Sequence, residues 1–236
     1  MNRWPGLLVE YGQIICKQYN LPGVWNHEDC RPGKCLRRAG AVRILQNLCL
    51  TISGGEAVGV FGSNGAGKTT LLRLIATLQP VAEGSCVVFG IDTSSTERYE
   101  VRNRIGYVGH TPGLYPELTL HENLVFVADA MGLDESEADR VLDIVGLGRA
   151  AGRRVDHCSH GMQRRTEFAR VLMTEPDLLL LDEPHSALDT DAVDLVDALV
   201  HRTVERGGAA ILVSHDKDRV NSLATRTHEI KDGTLL

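Results

Sequence analysis

The sequence predicts an α/β protein built on a mainly parallel sheet. Two observations carry that expectation. Strand-length runs that are apolar throughout, at 57–61, 178–181 and 209–213, alternate with segments whose apolar residues recur every three or four positions. A glycine-rich turn then joins the first of those runs to a helix-forming segment. Strands without polar alternation are covered on both faces, as in sheets whose parallel strands are linked by helices.

Each element follows from local pattern. Residues 7–15 are apolar and β-prone and read as a first strand, whereas 20–40 mixes Pro, Gly, Cys and basic residues and reads as an irregular insertion. A second strand is expected over 43–52, a turn at 53–55, the buried strand 57–61 and a helix over 68–78. Further strands are expected at 86–89 and 104–108. Helices follow at 120–131, 135–145 and 162–173, the last stopped near Pro176. A strand over 177–181, a helix over 191–206 ended by Gly207 and Gly208, a strand over 209–213 and a short tail after Gly233 complete the chain. The expected organisation is one domain over 1–236, with an antiparallel β part near its N-terminus and a small helical lobe over 110–170.

Composition narrows the function classes. A length of 236 residues suits one α/β domain with a sizeable core. The net charge of −6 leans against a nucleic-acid partner. No apolar run approaches the ~20 residues of a membrane-spanning helix, and residues 1–10 lack the pattern of a secretory signal. A cytoplasmic protein is expected, held at a membrane only through a partner. Cys16, Cys30, Cys35, Cys49, Cys86 and Cys158 are scattered and read as reduced thiols. His27, Cys30 and Cys35, with Cys16 more distant, form a candidate soft-metal cluster, although spacing without repeated short Cys pairs fits a plain loop better.

The chemistry concentrates at two places. Gly62, Ser63, Asn64, Gly65, Ala66, Gly67, Lys68 and Thr69 complete the P-loop pattern between a strand and a helix, with Thr70 next on that helix. Glycines let successive N–H groups converge on phosphate oxygens, and the helix N-terminus adds partial positive charge. Lys68 is expected to reach the β- and γ-phosphates of ATP and Thr69 to ligate Mg²⁺. Farther on, an all-leucine strand delivers Asp182 and Glu183 at its C-terminal end, where ligands collect in open α/β sheets. Asp182 is expected to hold Mg²⁺ and Glu183 to polarise the attacking water.

Several further segments resemble the ATP-binding cassette (ABC) ATPases. Ser159, His160, Gly161, Met162, Gln163, Arg164 and Arg165 look like their signature loop; Ser186, Ala187, Leu188 and Asp189 like their D-loop; His215 like their switch histidine. His110 stands where most of the family has glutamine, and Met162 where the usual signature has glutamine. The resemblance covers roughly residues 43–233. It implies a P-loop NTPase cassette and a head-to-tail dimer. In that dimer Ser159 and Gly161 of one protomer would grip the ATP held by the P-loop of the other. His215 would contact the γ-phosphate, and the transport path would lie in an integral membrane permease subunit. Tyr19 and Trp25 are rival aromatic platforms for adenine.

The stretch 109–119, with Glu122, Asn123 and Leu124, looks like the heme-exporter ATPases of cytochrome c biogenesis; ABC-2 type drug or polysaccharide exporters share much of it. Export through a separate membrane subunit is therefore the expected function. A soluble, non-transport ABC ATPase is the alternative, and a P-loop kinase would not need the signature loop, D-loop and His215 together.

Overall fold

A computed structural model describes residues 14–17, 45, 48–82, 84–186 and 190–236. Tyr19, Trp25, His27, Cys30 and Cys35, with the expected insertion, lie outside the described residues, as do Ala187, Leu188 and Asp189.

The strands are β1 (Ile14–Lys17), β2 (Cys49–Ile52), β3 (Ala57–Gly62), β4 (Ser85–Val88), β5 (Ile91–Asp92), β6 (Ile105–Val108), β7 (Leu178–Asp182), β8 (Ala209–Val213), β9 (Arg226–Lys231) and β10 (Thr234–Leu235). The helices are α1 (Lys68–Ile75), α2 (Leu120–Met131), α3 (Ser136–Ile144), α4 (His160–Thr174), α5 (Thr190–Glu205) and α6 (Lys217–Leu223). One sheet has the order β2-β1-β4-β5 and is antiparallel. The other has the order β10-β9-β3-β8-β7-β6. Its strands β9, β3, β8, β7 and β6 are mutually parallel, with β10 antiparallel at one edge.

The leucine run of β7 shows why such strands lack alternation. Leu178 and Leu180 join the core beneath α1. Leu179 and Leu181 point the other way, into the cluster containing Phe168 of α4 and Val196 of α5. Both faces are covered, so no position tolerates a polar side chain. A third cluster, including Leu120, Leu124, Val141, Leu142, Ala169 and Met173, is shared by α2, α3 and α4. At the start of α2, Thr119 Oγ1 accepts from Glu122 N while the Glu122 carboxylate accepts from Thr119 N, a reciprocal cap that fixes its first turn.

Several boundaries depart from the sequence reading. The first helix stops at Ile75 rather than running to 78, because Thr77 adopts a left-handed backbone (φ 59°) and its carbonyl and hydroxyl accept from Arg102. The second strand begins at Cys49, and Leu45 and Leu48 are buried outside it. The helix expected over 162–173 already starts at His160, where the Ser159 hydroxyl accepts from Met162 N. Residues 214–233, to which the sequence reading gave no element, hold α6 and β9, with β9 paired to β3, and the short tail after Gly233 forms β10.

That docking leaves no room at Gly59. A Cβ there would stand 2.3 Å from Val220 Cγ1 of α6. Gly59→Ala is expected to cost about 1–3 kcal/mol by overpacking and to lower the melting temperature by roughly 2–10 °C in a thermal denaturation scan.

Candidate active site

Because β3, β6, β7 and β8 run parallel, their C-terminal ends open on the same side of the sheet. The sequence loads that side with Gly62 to Thr69 after β3, Gly109 and His110 after β6, Asp182 and Glu183 at the end of β7, and Ser214 and His215 after β8.

Glycine is required at two points of the first loop. A Cβ on Gly62 (φ 155°) would lie 2.6 Å from the Ile230 carbonyl oxygen of β9. Gly67 caps α1 with φ 105°, a left-handed value that other residues adopt at a cost. Lys68 is only 7% exposed, and its Nζ donates to the carbonyls of Gly62 (2.8 Å) and Ser63 (3.1 Å). Its ammonium is therefore held at the mouth of the loop. One residue on, Thr69 Oγ1 donates to Asp182 Oδ2 at 2.7 Å, joining the two motifs across the sheet. Asp182 is buried. A hydroxyl and a carboxylate in contact form a hard, all-oxygen donor set, which suits Mg²⁺ completed by phosphate oxygens and water.

Glu183 is pinned on every side. Its backbone is left-handed (φ 50°), unusual for a residue with a side chain and characteristic of strained functional positions. Its N–H donates to the Val213 carbonyl at 2.8 Å. Its Oε2 accepts from Ser214 Oγ (3.0 Å) and His215 N (3.4 Å), and lies 2.9 Å from His215 Nδ1. The His215 ring is otherwise open to solvent. Two residues after Glu183, His185 Nε2 contacts Asp197 Oδ1 of α5 at 3.0 Å.

The structure thus brings Thr69 to Asp182 and Glu183 to His215 by hydrogen bonds, with Lys68 beside Thr69 at the start of α1. It leaves Ser159 and Gly161 outside: among the described residues neither hydrogen-bonds to that group, and the bond of Ser159 is local to its own helix. His110 is exposed beside the site, and Tyr19 lies outside the described residues.

Sequence reasoning gave no individual role to three residues at the site, Arg164 among them although it lies in the signature-like segment. Ser214 holds the Glu183 carboxylate directly. Arg164 and Glu167 are an ion pair (3.2 Å) buried in α4 directly behind the site. Burial pushes the Glu167 carboxyl above its ordinary range, against the opposing pull of the Gly113 N–H, Arg170 and Arg164. The available signal was charge of both signs, three residues apart, on the helix stripe that also carries Phe168 and Val171.

Comparison with known proteins decides the family. The model described as ABC transporter matches residues 45–186, more than half of the chain. The chain belongs to the ABC transporter family. Among curated members of that family it is 37% identical over 176 residues to the cytochrome c biogenesis ATP-binding export protein CcmA of Paracoccus denitrificans, covering 75% of this chain and 77% of that protein. It is 33% identical over 203 residues to the macrolide export ATP-binding/permease protein MacB of Neisseria meningitidis serogroup B, covering 83% of this chain. The chain spans only about a third (31%) of the length of that relative. Among solved structures it superposes on a dimeric, post-hydrolysis ATP-binding cassette bound to ADP and Pi with a TM-score of 0.76 and 25% identity, over 95% of this chain and 96% of that one. The ABC cassette fold accounts for both sheets and for the helices α2 to α4. No helix among the described residues is long and apolar enough to cross a membrane.

Proposed function

We propose that this cassette binds Mg-ATP across the loop after β3 and the end of β7, hydrolyses it, and drives export through a separate integral membrane subunit. The observation that carries the reading is the Thr69–Asp182 hydrogen bond, which brings the hydroxyl of one motif and the carboxylate of the other to one point with Glu183 beside them. Lys68 and the N–H groups of residues 62–70 bind and orient the phosphates. Thr69 and Asp182 would hold Mg²⁺, which when bound offsets negative charge on the phosphate oxygens. Glu183 orients the attacking water and accepts its proton. Through its Nδ1 contact His215 would keep the Glu183 carboxylate aimed, and its exposed ring would sense the γ-phosphate.

The solved cassette that superposes on this chain is dimeric and bound to ADP and Pi. The same arrangement here would let Ser159 and Gly161, which lie outside the site of their own protomer, complete the site of a second copy. One domain over 1–236, with the helical lobe at 110–170 moving against the P-loop core, fits that cycle. Heme export for cytochrome c assembly is the favoured transport role, supported by the 109–124 stretch and the likeness to CcmA. A drug or polysaccharide exporter is the second reading, favoured by the likeness to MacB.

A cleft of about 400 Å³ lies between the strand β6 edge and α2, lined among others by Leu78, Tyr107, Leu114 and Phe126. Tyr115 and Phe126 meet edge to face (5.4 Å) and are both about half exposed. An apolar, aromatic rim of this kind suits a helix of the membrane subunit. Affinity purification from membranes tests the assignment. The wild-type cassette is expected to retain an integral membrane protein and Phe126→Asp to lose it while keeping ATPase activity. Retention of nucleic acid in place of a membrane protein would contradict the transport role.

A further inference from the structure

We infer that Arg164 is a positioning residue for Glu183, and that with Glu167 it forms a clamp tying the loop after β6 to the catalytic carboxylate. The inference rests on the ATPase reading above and adds residues that neither the P-loop nor the acidic pair contains. Arg164 and Glu167 are each only 1% exposed although both carry charge. Keeping two charges in an apolar core costs several kcal/mol per ion before compensation, so each must be tightly partnered.

Most of their partners belong to the site; outside it, Glu167 also meets Gly113 N and, at 3.9 Å, Arg170 Nη2. The Arg164 guanidinium donates through Nη1 to the Gly109 carbonyl and to Glu167 Oε2 (3.2 Å). Through Nη2 it donates to the carbonyls of Asp182 (3.1 Å) and Glu183 (3.3 Å). Glu167 Oε1 in turn accepts from Gly113 N at 2.9 Å. One planar fork thus grips the last carbonyl of β7, the carbonyl after it and the first carbonyl after β6, while its counter-ion grips the β6 loop four residues later.

The geometry has a specific consequence for Glu183. Its left-handed backbone is held from the amide side by Val213 and from the carbonyl side by Arg164. Loss of the second hold frees the peptide that aims the carboxylate, whereas the phosphate-binding loop, on a different strand, takes no bond from Arg164 and is linked to it only through Asp182. Arg164 is therefore expected to govern turnover and not nucleotide affinity. The clamp also reaches the docking cleft, because Gly109, Gly113 and Glu167 all line it. A shift of the loop there reaches Glu183 through two hydrogen-bonded side chains.

Three variants of the full chain test this: Arg164→Lys, Glu167→Gln, and the double variant Arg164→Met with Glu167→Leu, which replaces the pair by apolar groups of similar size so that folding is retained. The measurements are Mg-ATP turnover, the KM for ATP, the melting temperature, and hydrogen exchange of the Gly113 and Glu183 amides. Arg164→Lys, which keeps the charge but loses the fork, is expected to lower kcat at least about tenfold with KM within about twofold, and to speed exchange at both amides. Glu167→Gln, whose amide oxygen still accepts from Gly113, is expected to fall by less. The double variant is expected to melt near the wild-type temperature and still turn over slowly, an outcome that a purely structural pair would not give. Wild-type kcat in the folded double variant, or equal changes in kcat and KM in Arg164→Lys, would overturn the clamp alone. A wild-type chain that releases no phosphate from Mg-ATP would overturn the ATPase reading and the clamp with it.

Discussion

Glu183→Gln is expected to leave Mg-ATP affinity within about twofold of wild type and to lower phosphate release at least about 100-fold. The amide keeps the size and acceptor oxygen of the carboxylate, so the bonds from Ser214 and His215 N can persist. What it loses is the capacity to take a proton from water. None of the phosphate-binding groups is touched, since Lys68 and the 62–67 loop sit on β3 and α1 rather than on β7. A cassette that binds but does not cleave should accumulate as an ATP-dependent dimer, measurable by size-exclusion chromatography with light scattering. A turnover equal to wild type would remove Glu183 from the chemistry.

Lys68→Ala is expected to weaken Mg-ATP binding by about 10- to 100-fold, the loss of one or two charge-assisted hydrogen bonds at about 1.5–3 kcal/mol. The lysine is buried, and its Nζ spans the carbonyls of Gly62 and Ser63. Its ammonium is therefore part of the loop's own architecture as well as the proposed ligand for phosphate. The two variants separate two links of the mechanism: one acts on affinity and spares the acidic site, the other acts on cleavage and spares affinity. Nucleotide titration followed by phosphate-release assays on both proteins distinguishes them.

The central sheet and the phosphate site were largely legible in the sequence because their signals are local. The P-loop needs its glycines at fixed positions: Gly62 packs against the β9 backbone, and Gly67 takes a left-handed φ. The leucine run of β7 could only be a strand covered on both faces. What escaped was non-local. The place of β9, second from the edge, depends on pairing Arg226–Lys231 with β3, far earlier in the chain, and its charged and polar residues (Arg226, Thr227, His228, Glu229, Lys231) carry no buried-strand signature. Arg164 was legible only as part of the signature-like segment and Glu167 not at all, because their partners, the carbonyl ends of β6 and β7 and the Gly113 amide, are remote in sequence. The end of α1 was overrun because apolar Leu74, Ile75 and Leu78 extend the helical period past Thr77, whose left-handed backbone is set by its contact with Arg102.

Isothermal titration of the pure, folded chain with Mg-ATP tests the central claim most directly. A saturable isotherm with one site per chain, abolished or strongly weakened in Lys68→Ala, is the predicted result. A flat titration, in which folded protein takes up no Mg-ATP, would contradict a triphosphate held between the loop after β3 and the carboxylates of β7.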